Sequence, residues 1–487
     1  METFMIKALQ LILALVLLVT IHEFGHYIFA RIFGVRVNRF YLFFNPWFSL
    51  LKYKPSEGKL EIIAWTSKPE GDENGPELSH SLLSFNVSKH AAEKNGKPTW
   101  AATLYGIGWV PLGGYCDIAG MVDETKGADK LESEPQPWEF RTKQAWKRFM
   151  IMVAGVVFNF ILAIIIYIGI AWHWGEAGIP YDNAVYGMDY SEPLREAGFV
   201  DGDKLLAING KPADAFQNGT MLDIIGDGNT ITVLRGADTA YVTIPKGTTE
   251  KCVAENKAPF VYRCPQVVKD VPGGQPAAKA GMLAGDTICK IGADTVTSFD
   301  RMVDALTKHK GHAVDITVRR DGKELTMPVD VTDSGDKGTI GVQLLTASDH
   351  LEVEYLKYGF FEAIPRGINN GVSTLTSYVS SLKLLFTKTG AQQVGGFGTL
   401  GSLFAPQWDW YTFWSMTAFL SVILAFMNII PIPGLDGGHV LFLLWEMITG
   451  RKTSDKVLEV ANTVGFVFLL LLLVYANGAD VFRAFFK

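Results

Sequence analysis

A long apolar run opens the chain and carries three ionisable side chains near its end. The run at about 8–30 is long enough to cross a bilayer, because about 20 helical residues at a rise of about 1.5 Å each span the hydrocarbon. His22, Glu23 and His26 lie within it. An ionisable group costs about 2.5 kcal/mol or more in a membrane helix, so these three need a compensating partner. A cleaved signal peptide is the alternative, but no small-x-small cleavage site follows the run.

The spacing of these three residues is typical of a zinc site. Residues i and i+4 share one face of a helix, so His22 and His26 project side by side, with Glu23 on the neighbouring rim. This is the H-E-x-x-H pattern, in which two imidazoles bind zinc and the carboxylate is the general base. A stray histidine satisfied by a neighbour is the alternative. We predict that His22 and His26 bind one Zn²⁺ and that Glu23 is catalytic, since a metal would offset the cost of burying these groups.

Composition indicates a membrane protein with soluble parts. The 487 residues are 48% hydrophobic, with a mean hydropathy of +0.17. The net charge of −6 comes without a basic stripe, so we expect no nucleic-acid partner. The apolar segments predict four transmembrane helices, at 1–33, 147–175, 411–436 and 460–484.

Basic residues near the helix ends predict the orientation in the membrane. They follow the first segment, precede the second and lie between the third and fourth: Arg31, Arg36, Arg39, Lys143, Lys147, Arg148, Arg451, Lys452 and Lys456. By the positive-inside rule these ends are cytoplasmic. Both termini and residues 178–410 are therefore expected outside the cytoplasm. The zinc-binding pair is expected near the cytoplasmic end of the first membrane helix.

The external segment contains an internal repeat. Residues 193–210 align with 276–293 at a constant offset of 83 residues, and each copy has an Ala-Gly, a Gly-Asp turn and an apolar strand. We predict two β-rich modules, at 178–250 and 265–347, which look like tandem PDZ domains. Such domains bind chain ends by strand addition, although passive spacers are an alternative.

The four cysteines suggest one disulfide. Cys252 and Cys264 flank the loop between the modules on the face predicted to be external, where a disulfide is permitted. We predict that these two residues are bridged. Cys289 is expected in a buried strand and Cys116 in the membrane-proximal part, and no cysteine-based zinc site is expected.

A third zinc ligand is needed, because catalytic sites usually combine three protein ligands with a water. Asp436 follows Pro431, Pro433 and Gly434, which would break a helix and turn the carboxylate toward a neighbour. Taken alone, Asp-Gly-Gly favours a simple turn. Together with the histidine pair, it favours Asp436 as the third ligand, whereas His439 is expected to form a local hydrogen bond.

The paired motifs resemble the site-2 protease family, in particular its RseP type. The resemblance rests on H-E-F-G-H in the first membrane helix, N-x-x-P-x-x-x-L-D-G-G from Asn428 to Gly438, and PDZ-like modules between the second and third helices. It implies zinc bound by the residues named above, water activated by Glu23 and a substrate strand held partly by Asn428. It also implies a multi-pass protein of a bacterial inner membrane. Such proteases cut the membrane segment of a single-pass protein, such as an anti-sigma factor or a signal-peptide remnant, after a site-1 protease has trimmed it.

Other segments extend this resemblance. Residues 34–120 resemble the family's membrane-associated β region, whose edge is thought to pair with substrate and which includes Gly113 and Gly114; a plain hairpin is the alternative. Gly155 and Asn159 match the second-helix pattern G-P-x-x-N, with Val156 in place of proline. Phe397 likewise replaces a usual proline in the segment 394–404. We therefore include Gly113, Gly114 and Asn159 among the substrate-binding candidates.

Two segments and three alternative functions remain. Residues 66–100 read as a cytoplasmic loop inserted in the β region, with His80 and His90 in solvent. Residues 354–390 are predicted to form an amphipathic helix on the outer membrane surface. A metal-dependent transporter would need inverted repeats, which are lacking. A PDZ scaffold or sensor would need neither Glu23 nor Asp436, and the sporulation branch of the family usually lacks PDZ modules.

Overall fold

The chain forms two compact units in a computed structural model. The first comprises Met1–Trp174, Tyr358–Tyr378 and Val394–Lys487, and the second Gly175–Lys357 and Val379–Gln393. The structure describes residues 2–45, 49–66, 79–110, 113–121, 134–217, 219–255, 257–335, 337–385 and 395–486. The predicted insertion at 66–100 lies partly outside these ranges.

The helices and strands of the described residues are as follows. The helices are α1 Glu2–Ile32, α2 Ala145–His173, α3 Glu192–Glu196, α4 Thr220–Ile225, α5 Thr248–Ala254, α6 Pro276–Lys279, α7 Phe299–Lys308, α8 Ala347–His350, α9 Phe360–Leu385, α10 Phe397–Ser402, α11 Trp410–Ile429, α12 Asp436–Thr449 and α13 Asp455–Phe486. The strands of the first unit are β1 Val37–Tyr41, β2 Leu51–Lys54, β3 Lys59–Thr66, β4 Ser79–Asn86, β5 Glu93–Lys94, β6 Lys97–Pro98, β7 Leu104–Ile107 and β8 Tyr115–Ile118. Those of the second unit are β9 Glu176–Gly178, β10 Met188–Tyr190, β11 Lys204–Ile208, β12 Lys211–Pro212, β13 Thr230–Arg235, β14 Asp238–Thr243, β15 Phe260–Tyr262, β16 Gln266–Asp270, β17 Thr287–Ile291, β18 Asp294–Thr295, β19 Ala313–Arg320, β20 Lys323–Asp330, β21 Thr332–Ser334, β22 Lys337–Thr339, β23 Gln343–Leu344 and β24 Glu354–Leu356.

Four helices of the described residues are long and apolar enough to cross a membrane. They lie in α1, α2, α11 and α13, at Thr3–Ile32, Ala145–His173, Trp410–Ile429 and Lys456–Arg483. The predicted combination of four membrane helices with β regions is thereby confirmed, while the PDZ identity of the modules stays a prediction.

The third membrane helix differs from its predicted bounds of 411–436. α11 ends at Ile429, and Ile430 already has extended backbone, with φ −62° and ψ 136°. Pro431 and Pro433 follow, and Gly434 has φ +88°, a conformation that favours glycine. Asp436 therefore does not lie on the third membrane helix. It is the first residue of α12.

The β region of the first unit is a six-stranded sheet. Its order is β4-β3-β2-β7-β1-β8, with β8 at one edge, antiparallel to β1. The other edge, β4, is antiparallel to β3, with Lys59 opposite Asn86. β4 lies in the segment predicted to be a loop, so that prediction is wrong for residues 79–86. Backbone pairing with β3 orders a sequence whose polar composition resembles that of a loop.

The helix predicted within 354–390 is present as α9, and it packs beside α2; its place on the outer membrane surface stays a prediction. A Cβ atom on Gly367 would lie 2.5 Å from the backbone nitrogen of Ile168, and one on Gly371 would lie 3.0 Å from the side chain of Ile164. The Tyr167 and Thr374 hydroxyls are 3.2 Å apart. The two helices are therefore antiparallel where they touch. Glycines four residues apart allow this close contact, as is common between membrane helices.

The second unit contains two similar modules, each with its own core. The first has the sheet β12-β11-β13-β14 and a separate β10-β15 pair, and the second has β20-β19-β17-β16-β23. In the first, Arg235 donates to both carboxylate oxygens of Asp203 and to the carbonyl of Gly198.

The second module repeats this arrangement. Arg320 binds Asp286 and the Gly281 carbonyl in the same way, at 2.7 to 2.9 Å. Asp203 and Asp286 are both buried, and Val200 and Leu283 donate their backbone N–H to them. The repeat found in the sequence is thus a repeated Gly-Asp turn clamped by arginine.

The predicted bridge between Cys252 and Cys264 is not formed. Both thiols are free and buried. Cys252 packs in the core of the first module, whereas Cys264 receives a 3.5 Å contact from the Gln266 side-chain amide. Burial raises the pKa of both thiols. Proximity in the sequence to the inter-module loop therefore did not bring the two sulfur atoms together.

Candidate metal centre

Two glycines bring α1 and α2 into close contact beside the H-E-x-x-H motif. A Cβ atom on Gly25 would lie 2.6 Å from the carbonyl oxygen of Ala154. One on Gly155 would lie 2.5 Å from Nε2 of His26 and 2.7 Å from Cε1 of His22. Both positions therefore require glycine. The second one leaves the space that the two imidazole rings occupy.

The two histidines and Asp436 form one tight cluster. Nε2 of His22 lies 2.9 Å from Oδ2 of Asp436, Nε2 of His26 lies 3.2 Å from that same oxygen, and the two Nε2 atoms are 3.1 Å apart. Both histidines are buried, with 7% and 5% of their surface exposed. Within the part of the chain that the structure describes, this is the one group of three side chains able to hold a metal ion.

The donor atoms of the cluster fit a zinc ion. Nδ1 of His26 lies 2.8 Å from the Ile151 carbonyl, which accepts its hydrogen and leaves a lone pair on Nε2 of the neutral ring. Oδ2 of Asp436 is buried and receives no hydrogen bond from the described residues. Ligands about 2.0–2.1 Å from zinc lie roughly 3.3 Å apart in a tetrahedron, close to the separations observed. A cation would compensate the charge and lone pairs that meet here.

Glycines also position Asp436 at the start of α12. A Cβ atom on Gly437 would lie 2.0 Å from the carbonyl oxygen of Ile430, and one on Gly438 would lie 2.7 Å from Cα of Pro433. The Asp-Gly-Gly sequence thus folds the helix start back onto the broken segment. The motif therefore forms a turn that also places Asp436 beside the two histidines, and its role as the third zinc ligand stays a prediction.

A buried ion pair joins α12 to α2. Arg148, near the start of α2, contacts the carboxylate of Glu446 and donates to the Lys143 carbonyl at 3.0 Å. Since one helix carries Gly155 and the other Asp436, this pair holds the two sides of the cluster together. Breaking a buried pair by removing one partner is costly, because a charge is left uncompensated.

Glu23 lies between the cluster and the edge strand β8. The backbone N–H of Cys116 is within hydrogen-bonding reach of its carboxylate, and both histidines and Asp436 are near enough to act on it electrostatically. Burial and the Glu23 carboxylate raise the pKa of the Cys116 thiol well above its ordinary value. Glu23 is therefore near both the cluster and β8, and it is not one of the three clustered side chains.

The other predicted residues are placed in different ways. Gly114 precedes β8, and its Cβ would lie 2.5 Å from the carbonyl oxygen of Tyr41, whereas no atom of the described residues lies within 4 Å of a Cβ on Gly113. Asn428 is half-buried near the end of α11. Asn159 is fully buried and its side-chain nitrogen lies 3.3 Å from Nδ1 of His22.

Two other histidines considered in the sequence, His90 and His439, lie outside the cluster. Nε2 of His439 lies 3.4 Å from the amide nitrogen of Asn462 on α13, a contact between helices, and the expected local hydrogen bond stays a prediction. His90 is exposed and adjoins the ring of Trp100. The side chain of His80 lies outside the described residues.

Three contributors to the centre were missed by sequence reasoning. Gly25, the Ile151 carbonyl and the Cys116 N–H each act through the backbone or through the absence of a side chain. Gly25 carried a signal, since a glycine inside an apolar helix suggests close packing. The two backbone groups carried none, because every residue has them.

Comparison with known proteins identifies similar chains. The profile of peptidase family M50 matches residues 10–67 and 77–472. The regulator of sigma-E protease RseP of Escherichia coli (strain K12) is 27% identical over 506 residues, covering 99% of this chain and 100% of that protein. The regulator of sigma E protease of Haemophilus influenzae is 25% identical, covering 97% and 98%. The zinc metalloprotease Rip1 of Mycobacterium tuberculosis (strain H37Rv) is 24% identical, covering 94% and 90%.

Proposed function

The chain belongs to peptidase family M50 and is a metalloprotease, and from this premise we propose that it is an intramembrane zinc endopeptidase. It hydrolyses a peptide bond within the transmembrane segment of single-pass membrane proteins. The observation that carries the proposal is the meeting of His22, His26 and Asp436 between a membrane helix and the break that follows another. A purely structural helix bundle would gain nothing from burying these groups.

Each residue of the centre has a distinct role in this proposal. His22, His26 and Asp436 would hold one zinc ion per chain, which when bound supplies the Lewis acidity that activates water and polarises the scissile carbonyl. The Glu23 carboxylate takes a proton from that water and delivers it to the nitrogen of the leaving amine. The backbone N–H of Cys116, which lies near this carboxylate, would help to orient it.

The substrate would be cut as an extended strand. A helix hides its peptide bonds, so the scissile segment must unwind before hydrolysis, and strand addition at β8 would satisfy its backbone. β8 is an edge strand preceded by Gly113 and Gly114, and its Cys116 N–H lies beside Glu23. This supports our assignment of the two glycines to the substrate path, to which we assign Asn428 from the family resemblance.

The cellular setting of the proposal comes from the family and from charge. The chain is an inner-membrane protein, as its four apolar helices and RseP-type relatives indicate. We infer from the positive-inside rule that both termini and the two modules, as PDZ domains, are periplasmic and that the zinc lies near the cytoplasmic side. Two relatives are named as regulators of sigma E, which supports an anti-sigma factor as one substrate. From the resemblance to site-2 proteases we propose further that a site-1 protease trims this substrate first and that signal-peptide remnants are a second class of substrate.

The test combines zinc content with cleavage. Purified protein in liposomes is incubated with a model single-pass substrate, beside the Glu23→Gln variant. We expect about one zinc in both forms, cleavage within the membrane segment by the parent, and a loss of about 10²–10⁴-fold in the variant. If both forms bind zinc and neither cuts a truncated substrate, the site is structural or regulatory and the proposal is wrong.

A further inference from the structure

We propose that Asn159 is a positioning residue that selects the tautomer of His22. Sequence analysis made it a substrate-binding candidate, whereas its contact is with a metal-site imidazole. The inference rests on the proposed function, because it requires that Nε2 of His22 bind the metal. It assigns to Asn159 one hydrogen bond, from Nδ1–H of His22 to its side-chain carbonyl oxygen.

The first step is the geometry of the amide. Asn159 has no exposed surface, and its Nδ2 atom lies 3.3 Å from Nδ1 of His22. Its Oδ1 atom is also buried and receives no hydrogen bond from any residue that the structure describes. The amide thus has one contact at one end and, among the described residues, none at the other, and a half-turn would leave Nδ2 instead of Oδ1 without a partner. The contact with Nδ1 of His22 therefore decides which orientation is favoured.

The second step is the proton of His22. A neutral imidazole carries its hydrogen on one nitrogen and a lone pair on the other. An amide N–H donating to Nδ1 would force the hydrogen onto Nε2, where it would block the metal. The two ends of a side-chain amide are nearly equal in size, so a half-turn exchanges them with little movement. Oδ1 then accepts from Nδ1–H, and Nε2 presents its lone pair to the cluster.

The third step is a pattern along α2. His26 already has such an acceptor, since the carbonyl of Ile151 lies 2.8 Å from its Nδ1. Ile151, Gly155 and Asn159 follow each other at intervals of four residues, so they share one face of the helix. On this face Ile151 presents its carbonyl oxygen, Gly155 leaves room for the two rings, and Asn159 presents its side-chain oxygen. One helix thus orients both imidazoles, as outer partners of metal ligands commonly do.

The structure also provides a matched control. The Ser421 hydroxyl on α11 donates to the backbone carbonyl of Asn159 at 2.7 Å. Replacing Ser421 by Ala disturbs the packing of the same residue without touching its amide. The variants Asn159→Leu and Asn159→Asp complete the set. Leucine keeps the volume and removes the acceptor, while aspartate keeps an oxygen acceptor.

The experiment measures metal binding in the purified full chain. Zinc affinity is obtained by competition with a chelator, the site geometry is followed by the visible spectrum of the cobalt-loaded protein, and folding is checked by the melting of the metal-free forms. We expect Asn159→Leu to bind zinc about 10–100-fold more weakly, with an altered cobalt spectrum. Asn159→Asp and Ser421→Ala should stay within about threefold of the parent. If Asn159→Leu does not fold, Asn159→Ala replaces it in the comparison with Ser421→Ala.

Three outcomes would overturn the inference. Zinc affinity unchanged in Asn159→Leu, with a raised KM, would make Asn159 a substrate contact. Equal losses in Asn159→Leu and Asn159→Asp, or in Ser421→Ala, would show that packing matters and the accepted hydrogen bond does not. A parent protein that binds no zinc would instead refute the proposed function, and the inference with it.

Discussion

The metal centre and the two modules both bury carboxylates, but they satisfy them differently. Asp203 and Asp286 each receive two bonds from an arginine and one from a backbone N–H. Oδ2 of Asp436 faces two histidine nitrogens and receives no hydrogen bond from the described residues. A buried carboxylate that is fully hydrogen-bonded within the protein stabilises the fold. A buried carboxylate oxygen without a hydrogen-bond donor indicates that a ligand from outside the chain binds there. The same residue type is therefore structural in the modules and a candidate metal ligand in the centre.

We expect the largest effects when a carboxylate is removed from the metal centre or from a module. Asp436→Ala should abolish tight zinc binding and reduce cleavage to background, because it removes a ligand and leaves the modules intact. Asp286→Ala should leave zinc affinity unchanged and lower the melting temperature by about 2–8 °C, since it breaks the arginine clamp. Zinc content and calorimetry of both variants measure this. Zinc binding preserved in Asp436→Ala would remove the distinction between the two regions.

Substitutions at two glycines of α2 test whether the centre requires free space beside the imidazole rings, because they add volume without changing any charge. Gly155→Ala should weaken zinc binding by more than about tenfold, because its Cβ would meet His26 Nε2 at 2.5 Å. Gly169→Ala is the matched control, because its Cβ would have no atom of the residues that the structure describes within 4 Å. It should leave zinc affinity unchanged and stabilise the helix by about 0.5–1 kcal/mol. Equal zinc affinities for Gly155→Ala and the parent would contradict the described contact of α1 with α2.

The smallest expected effect is the acid sensitivity of the modules. Burial opposes ionisation of Asp286, but the bonds from Arg320 and Leu283 prevail and hold the pKa of that carboxyl below its ordinary value of 3.8. A pKa depressed by folding stabilises the module above pH 3.8, and this stabilisation is lost as pH falls through the folded-state value. Melting temperatures between pH 7 and 2.5 should therefore fall mainly below about pH 4. Asp286→Asn should reduce that slope; an unchanged slope would assign it to other groups.

Sequence alone anticipated which side chains meet at the centre better than it anticipated the groups that support them. The spacing of His22 and His26, with a carboxylate after a proline-broken segment, led to the three side chains that the structure brings together. That they bind zinc and that Glu23 is catalytic stay predictions. The separate helix that carries Asp436 was visible in Pro431 and Gly434 but was merged with the preceding apolar run. Hydropathy measures how apolar a segment is and does not mark where its helix ends.

Elements that depend on a distant partner were predicted less well. β4 is a strand because β3 pairs with it, and α9 lies along α2 because Gly367 and Gly371 permit contact. The glycine pair, four residues apart, was a usable signal for packing. The expected disulfide failed because closeness in sequence does not fix the distance between two side chains.

The most direct test of the account is the X-ray absorption spectrum of zinc in the purified protein. We predict about one zinc per chain with four nitrogen or oxygen ligands at about 2.0–2.2 Å and the outer-shell signal of two imidazoles. Loss of one imidazole in His26→Ala would strengthen the assignment. A sulfur ligand at about 2.3 Å, or a spectrum unchanged by both His26→Ala and Asp436→Ala, would contradict it.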